Sequence, residues 1–497
     1  MNRLALPAGL AVFALLCYFP LFLHLDSLPL RLWDEARRAV NALEMVENGQ
    51  WLVTHYGGKP EMWGTKPPLL IWCQALAMKA FGFNELAVRL PSALAALATV
   101  VALVLFSHRV LRRPWVGIFG SLVLLTTRGY VTAHGARSGD FDALLTLFLT
   151  VFLLSGFAFL HSEGRSRYRW LWLASAALAL GGLTKGVAGF FFVPGLVVYA
   201  WYRQQIPKVL TDRRVWLAAI LPLLVVATFY LLREWQNPGY LTTVWSNELG
   251  GRYLASQEGH RHQWNFYFRM LARDRFLPWL YWLPLGLLLG WLAGRRWKDF
   301  TVLLGLNALL FLTILSFAQT RIIWYMAPVY PSLALLCGLA FDQLLRTSRA
   351  RLAPHAGGLA IYVLFGLAVI GPPYWHTVQR VMTEKLPAWD WEVLKYRDFM
   401  RRSSDVREYL VLHSRYNAHV RFYEKVYNRD GYQIRSQPLT DFYEQEFTVG
   451  EGPLELSQGQ RVMVCEKSAR RALQQVYRTD TLRQWDTCLL LTVEDRK

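Results

Sequence analysis

Acidic and basic residues cluster in the first long polar segment of the chain. Asp34 and Glu35 are followed by Arg37 and Arg38, and Lys66 stands just ahead of Pro67-Pro68. A carboxylate can remove a proton from a hydroxyl or amine nucleophile. Lysine and arginine side chains can stabilise a leaving group that carries negative charge, such as a phosphate. These residue types therefore suit the transfer of a group from an anionic leaving group to a nucleophile.

Similar residues recur where later apolar segments meet. They are Arg137, Asp140 and Asp142 in HGARSGDFDALL, Lys185 in LTKG, and Arg321 with Tyr325 in AQTRIIWY. An ionisable group at the centre of a membrane helix costs roughly 2.5–3.5 kcal/mol, so such groups usually face a cavity and a partner. Several short loops that hold both signs of charge therefore predict one shared cavity.

Each of these residues also has a purely structural interpretation. Asp34 or Glu35 suits the N-terminus of a helix over ARRAVNALEMVENG, and the two later acids suit the start of a membrane span. Two acids spaced two residues apart nevertheless favour function over capping. The basic residues at span ends, Lys66, Lys185 and Arg321, also suit interfacial anchors.

Metal and cofactor motifs are weak. His260 and His262 resemble a metal-binding pair, but no third ligand follows at a recognisable spacing, which favours loop histidines. No Walker A sequence and no strand-associated GxGxxG occurs, so no soluble nucleotide site is indicated. The sequence therefore gives no firm indication of a cofactor. Binding of a divalent metal is left as an open alternative.

The elements that must position these residues are membrane helices. Of 497 residues, 54% are hydrophobic and only 18% are charged, which is unusual for a soluble chain. Apolar runs recur that are long enough to cross about 30 Å of hydrocarbon. Eleven spans are predicted, at about 4–25, 86–111, 115–131, 140–160, 169–185, 186–202, 213–232, 278–294, 299–319, 325–345 and 352–375.

Charge decides how the short apolar segment 67–82 is interpreted. If it does not cross, five short loops on one side hold sixteen Lys and Arg, whereas three short loops opposite hold Arg137, Lys185 and Arg321 only. Positive loops favour the cytoplasm. The pattern predicts a cytoplasmic N-terminus, a re-entrant or juxtamembrane helix at 67–82, and two long outer loops at 26–85 and 233–277. The formal net charge of +19 then reflects orientation and no nucleic-acid partner.

The composition changes after Trp375. Residues 1–375 are predicted to form the transmembrane domain, and residues 376–497 a small extracytoplasmic soluble α/β domain. Strand-like runs in the second part are EYLVLHS, RVMVCEK and TCLLLTVED, with a helical SARRALQQVYR. Cys465 and Cys488 lie in two of these strands, where a disulfide and two buried free thiols are equally favoured.

A resemblance covers about residues 30 to 345. The runs WDEARRAVNALEMVENGQWLV, GTKPPLLIWCQALAMKAFGFNELAVRLPSALAA, GDFDALLTLF, LTKG, NELGGRY with GHRHQWNFYF, and TRIIWYMAPVYPSLALL occur in this order. They resemble the bacterial aminoarabinose transferase and protein O-mannosyltransferase family. Members of that family are GT-C class integral-membrane glycosyltransferases, which use polyprenyl-phosphate sugars.

The resemblance implies roles for individual residues. Asp34 would be the catalytic carboxylate of the first outer loop, with Glu35 and Arg37 beside it. Lys66 would contact the donor phosphate, although Thr65 stands where relatives often have an acid. A second site carboxylate would be Asp142, with a less specific match at Asp140. The residues that would line the donor site are Lys185, Arg321 and Tyr325, and Arg137 is a further candidate for substrate binding.

These features predict a glycosyltransferase in the cytoplasmic (inner) membrane that acts on its outer side. The donor would be a polyprenyl-phosphate sugar, because no pool of nucleotide sugar is expected outside that membrane. The acceptor would be an envelope lipid, protein or glycan. It would attack the donor sugar in a single displacement, with a carboxylate as the base. The alternative is a transporter or a non-catalytic envelope assembly protein. The sequence disfavours a transporter, because it has no paired broken helices in two matching halves.

Overall fold

The fold was established from a computed structural model that describes residues 5–253, 261–352, 358–385, 391–413, 416–438 and 455–497. Its first part is almost entirely helical. The helices, in chain order, are α1 (Ala5–Leu21), α2 (Asp34–Asn48), α3 (Leu69–Phe81), α4 (Glu85–Arg109), α5 (Pro114–Thr126), α6 (Arg128–Val131), α7 (Phe141–His161), α8 (Gly164–Lys185), α9 (Val193–Tyr202), α10 (Ile206–Leu210), α11 (Arg213–Gln236), α12 (Tyr240–Val244), α13 (Phe266–Met270), α14 (Leu283–Leu292), α15 (Arg295–Phe317), α16 (Tyr330–Leu352), α17 (Gly358–Val369) and α18 (Gly371–Met382).

Shorter elements connect these helices. Strands β1 (His55–Tyr56) and β2 (Lys59–Pro60) form a small antiparallel hairpin after α2. Turns of 3-10 helix cover Gly186–Phe190, Trp279–Trp282 and Ile323–Val329, and π-helical turns cover Trp245–Tyr253 and Leu271–Arg275. Most of these irregular turns lie in the segments that were expected to hold functional residues.

Within the described residues, six helices are long and apolar enough to cross a membrane. They are Glu85–Arg109, Phe141–His161, Gly164–Phe190, Arg213–Gln236, Arg295–Phe317 and Ile323–Thr347. A pair bent by 52°, Ala360–Val369 with Gly371–Met382, would make a seventh span. In the helices that begin at Phe141 and Ile323, 83% of the apolar window is buried, against 17% in the helix that begins at Arg213. The first two therefore lie at the centre of the domain.

The helical membrane domain is confirmed, but its long spans are fewer than the eleven expected. The four remaining predicted spans coincide with shorter apolar helices, namely Ala11–Leu21, Pro114–Thr126, Val193–Tyr202 and Trp279–Leu292. Proline explains the difference at the predicted span 186–202, because Pro194 lies in the first turn of α9. A proline at the first turn sets where a helix starts and so shortens it relative to the apolar run. The segment 67–82 forms α3, which has 13 residues.

The C-terminal part is the expected small domain with a mixed sheet. Its elements are α19 (Trp391–Arg402), β3 (Glu408–His413), α20 (Ala418–Arg429), β4 (Gln433–Pro438), β5 (Arg461–Val464), α21 (Lys467–Val476), β6 (Tyr477–Trp485) and β7 (Cys488–Arg496). The strand order is β4-β3-β5-β7-β6, with β3 parallel to both neighbours and β7 antiparallel to both of its own. A disulfide joins Cys465 to Cys488 beside the β5–β7 pair.

The C-terminal domain packs directly on the first long loop. One apolar cluster contains buried side chains from α2, α3, α19 and the sheet, including Leu43, Ile71, Tyr396, Val411 and Met463. At its border Glu85 Oε1 accepts a hydrogen bond from Tyr423 at 3.0 Å and lies 2.7 Å from Arg397 Nε. The sheet therefore lies at the same end of the helical domain as α2 and α3, and it holds them in place.

Candidate functional site

Asp34 lies at the first residue of α2, where the helix dipole favours a negative charge. One turn later Arg38 donates a hydrogen bond from Nη1 to Asp34 Oδ1 at 2.8 Å. The same Nη1 lies 3.7 Å from Asp140 Oδ1, and Asp140 Oδ2 lies 2.7 Å from His134 Nδ1. We call these four residues, Asp34, Arg38, His134 and Asp140, the carboxylate cluster.

Positive charges in and beside the carboxylate cluster keep Asp34 ionised. Burial alone would raise the pKa of Asp34, but the positive charges of Arg38, His134 and Lys66 outweigh burial and hold this pKa below the usual aspartate value. Burial also disfavours a charged His134, yet Asp140 and the neighbouring acids raise its pKa above the usual histidine value. At neutral pH Asp34 is therefore an anion that can accept a hydrogen bond or a proton.

The same cluster has donor atoms for a metal ion. Asp34, His134 and Asp140 each offer one ligand atom, and these atoms all lie within 4.8 Å of one another. Oxygen and imidazole ligands suit several divalent cations. Arg38 competes with such a cation, because its guanidinium already contacts both carboxylates.

A cavity of about 630 Å³ is lined in part by Lys66, whose positive charge also acts on Asp34 of the cluster. Its walls are mainly apolar, and its charged and phenolic groups are Lys66, Lys185, Glu248, Tyr230 and Tyr325. The apolar side chains in the wall include Leu145, Val187, Phe191, Leu241, Trp245, Phe311 and Leu315. Such a lining suits a ligand with a hydrocarbon part and one anionic group.

The run Gly139-Asp140-Phe141-Asp142 connects the cluster to the cavity. Asp140 belongs to the cluster, whereas Asp142 lies 2.6 Å from Nζ of Lys185 through Oδ1. The Phe141 ring between them lies 4.5 Å from Arg38 Cζ and 5.9 Å from Lys66 Nζ. Asp140 thus belongs to the carboxylate cluster, and Asp142 contacts Lys185 in the wall of the cavity.

The ammonium group of Lys185 contacts an aromatic ring as well as the carboxylate of Asp142. Its Nζ lies 4.5 Å from the centre of the Tyr325 ring, a cation–π contact. Tyr325 lies in the 3-10 turn Ile323–Val329 that leads into α16. The structure therefore brings together Lys66, Lys185 and Tyr325 from three separate segments at one cavity.

Glu35, although adjacent to Asp34, points into the protein. Its side chain is 1% exposed and forms a two-fold ion pair with Arg89, at 2.8 Å from Nε and 2.9 Å from Nη2. It also accepts backbone hydrogen bonds from Arg31 at 2.8 Å and from Gly139 at 2.9 Å. Burial opposes its charge, but Arg89 lowers the pKa of Glu35 to about 2. All its hydrogen bonds tie α2 to its neighbours.

A glycine is needed at position 139 for the hydrogen bond from its backbone amide to Glu35. A Cβ at this position would lie 2.5 Å from Val88 Cγ1 and 2.7 Å from Gln74 Nε2. Only a residue without a side chain lets the loop approach α4 closely enough for its amide to reach Glu35. The glycine thereby fixes the run that carries the two later acids.

Two of the predicted arginines lie outside the cavity. Arg37 forms an ion pair with Glu61 and lies 5.8 Å from the centre of the Tyr56 ring. Arg137 lies 3.4 Å from Glu384 and donates to the carbonyl of Leu23 at 2.8 Å. Arg137 therefore fastens the end of α1 to the segment after α18.

Arg321 also bonds to the backbone. Its Nε and Nη2 donate to the carbonyl of Ser316 at 3.0 Å and 2.7 Å, and its Nη1 donates to the carbonyl of His262. The side chain is 8% exposed. Arg321 thus connects the cavity rim to the second long loop; His260 lies outside the described residues.

Sequence reasoning did not single out two residues that the structure places in the carboxylate cluster or in the wall of the cavity. His134 opens the run HGARSGDFDALL, and its only signal was proximity to the two acids. Glu248 lies in NELGGRY, in the long loop that follows α11. No local pattern relates Glu248 to Lys66, because the two meet only when the loops pack together.

Residues 65–231 match the profile of the family described as dolichyl-phosphate-mannose-protein mannosyltransferase. Over these residues the chain is similar to this family. A relative in Aeromonas salmonicida, an undecaprenyl phosphate-alpha-4-amino-4-deoxy-L-arabinose arabinosyl transferase, is 30% identical over 69% of the chain. The protein of that name in Pseudomonas savastanoi pv. phaseolicola is 28% identical over the same share. The chain spans 62% of the length of either relative.

Solved structures give the same fold class. ArnT from Cupriavidus metallidurans, crystallised with undecaprenyl phosphate, superimposes with a TM-score of 0.73 at 18% identity over 98% of both chains. An oligosaccharyltransferase from Archaeoglobus fulgidus gives 0.55 at 12% identity, over 88% of this chain and 65% of that one. The chain is thus a multi-pass integral membrane protein with the ArnT-like fold, as the resemblance implied.

Proposed function

We propose that the protein is a glycosyltransferase that moves one sugar from a polyprenyl-phosphate donor to an acceptor of the cell envelope. The observation that carries this proposal is an apolar cavity that ends at Lys66 and Lys185, of which Lys66 also acts on Asp34 of the carboxylate cluster. A lipid tail suits the apolar walls, and a phosphate suits the two ammonium groups. Relatives named for an undecaprenyl-phosphate-linked aminosugar support this class of donor.

In the proposed reaction the acceptor oxygen or nitrogen attacks the anomeric carbon of the sugar. The bond between that carbon and the phosphate oxygen breaks, and the phosphate leaves with the electron pair. Lys66 and Lys185 stabilise the charge that develops on this leaving group. Asp34 takes the proton of the acceptor as general base. A single displacement of this kind inverts the anomeric centre.

The other predicted site residues have supporting roles in this proposal. Asp142 orients Lys185 through their 2.6 Å contact, and Tyr325 covers the same ammonium group. Asp140 holds Arg38 and His134 around the base. Glu35, Arg37 and Arg137 position the site through contacts made away from the cavity, and Arg321 does so from the rim of the cavity.

The proposed site faces the outer side of the cytoplasmic membrane. Sixteen Lys and Arg in the short loops of one side, against three in the short loops of the other, support this orientation. The disulfide between Cys465 and Cys488 supports it too, because disulfides persist mainly in oxidising compartments. The C-terminal domain that contains it packs on α2, the helix of Asp34.

Mass spectrometry of envelope lipids, proteins and glycans tests the proposal and identifies the acceptor. A strain that lacks the gene should lose a sugar-bearing species, and the wild-type gene should restore it. An Asp34→Asn gene should not restore it, whereas a Glu47→Gln gene should, since Glu47 lies outside both the cluster and the cavity. Full restoration by Asp34→Asn, or no difference between the strains, would contradict the proposal.

A further inference from the structure

Glu248 places a carboxylate at the charged end of the cavity. Its Oε1 accepts a hydrogen bond from Thr65 Oγ1 at 2.5 Å and lies 3.5 Å from Nζ of Lys66. The side chain is 25% exposed and belongs to the π-helical turn Trp245–Tyr253. A carboxylate oxygen therefore lies beside the lysine that the proposed function assigns to the donor phosphate.

The segment that carries Glu248 is held to the first long loop by a small number of further contacts. Tyr240 donates to the carbonyl of Gly64 at 2.9 Å, and Arg233 donates to the carbonyl of Glu61 at 2.8 Å. Both contacts lie at or before the start of this segment. Past Tyr240, the ion pair with Lys66 and the hydrogen bond from Thr65 are two polar contacts that join Glu248 to the first long loop.

A phosphate and a carboxylate cannot both lie against Lys66 at low cost. Like charges at such a separation repel, and one ammonium group neutralises only one of them. The Glu248 carboxylate therefore occupies the position beside Lys66 that an anionic ligand would take. It is not itself a phosphate-binding group. A donor that reaches Lys66 must displace it.

We propose that Glu248 competes with the donor phosphate for Lys66, so that its carboxylate occupies the lysine until the phosphate replaces it. This inference rests on the proposed function. The competition lowers the affinity for the phosphate group and leaves the affinity for the lipid tail unchanged.

Titration of the purified full-length protein in detergent tests this competition. The probe is undecaprenyl phosphate, with undecaprenol as the uncharged comparison. Glu248→Gln should bind undecaprenyl phosphate about three- to tenfold more tightly than wild type, since a partly exposed ion pair has a modest strength. Its affinity for undecaprenol should be unchanged, and Glu47→Gln, which removes a negative charge outside the cavity, should match wild type for both lipids.

A second background separates competition for Lys66 from simple repulsion. In a Lys66→Ala protein the additional Glu248→Gln change should no longer tighten undecaprenyl phosphate binding. Persistent tightening there would overturn the inference, because Glu248 would then act on the phosphate directly. Weaker or equal binding by Glu248→Gln alone would also overturn it. Absence of phosphate-dependent binding in wild type and in every variant would instead count against the proposed function.

Discussion

Replacement of Asp34 by asparagine tests the role of the carboxylate cluster. Asparagine keeps the shape of the side chain but removes its negative charge and its ability to take a proton. Loss of a general base slows turnover by about 100- to 10,000-fold. Donor affinity should remain near that of wild type, because the donor phosphate is assigned to Lys66 and Lys185 in the cavity.

The effect on folding should be small. The Asp34 side chain is 41% exposed, so its pair with Arg38 contributes at most about 1 kcal/mol to the free energy of unfolding. Arg38 also keeps a second partner in Asp140, 3.7 Å away. A thermal melt close to that of wild type is therefore expected alongside the large loss of turnover.

The pH dependence of turnover gives an independent test of the role assigned to Asp34. A pKa of Asp34 below the usual value of 3.8 means that its ionised form persists as the pH falls, and activity that depends on this form is lost only below that value. Steady-state rates from pH 7 downward, in wild type and Asp34→Asn, measure this. Unchanged turnover in Asp34→Asn, or a loss of donor affinity with turnover retained, would refute the assigned role.

Further predictions concern the phosphate site, the anchor of α2 and the orientation. Lys66→Ala should weaken undecaprenyl phosphate binding roughly 10- to 100-fold, since a charge-assisted hydrogen bond contributes about 1.5–3 kcal/mol, and unchanged affinity would place the phosphate elsewhere. Glu35→Gln should lower the free energy of unfolding by about 3–5 kcal/mol, because it leaves the charge of Arg89 buried and unpaired; a melt equal to wild type would contradict this. In wild type the stabilisation from Glu35 should be present above pH 4.5 and be lost as the pH falls toward about 2, measured by unfolding at several pH values. A reporter active only in the cytoplasm should stay silent when fused after Val381, and activity there would reverse the orientation and the side of the site.

The sequence predicted which loops meet at the cavity. Lys66, Asp142, Lys185 and Tyr325 each stand where an apolar run begins or ends, and membrane helices of similar length bring such ends to common levels. The strands β3, β5 and β7 were predictable because their apolar residues form continuous runs. β6, by contrast, is a largely polar edge strand, YRTDTLRQW, which has little hydrophobic pattern to identify it.

The direction of individual side chains could not be predicted. Asp34 and Glu35 are neighbours in α2, and consecutive residues of a helix point about 100° apart. Which of them joins the carboxylate cluster depends on Arg89, which comes from α4 and binds Glu35. The pair between Lys66 and Glu248 likewise joins residues far apart in the chain. Such contacts follow from tertiary packing and leave no local signal.

The most direct test of the central claim is a transfer assay with the purified protein, a sugar-bearing polyprenyl phosphate and an envelope extract as the source of acceptor. Radiolabelled sugar should pass from the lipid donor to an acceptor, and a nucleotide sugar should not replace this donor. Asp34→Asn should abolish the transfer while still binding the lipid. Efficient transfer directly from a nucleotide sugar, with none from the lipid-linked sugar, would contradict the central claim.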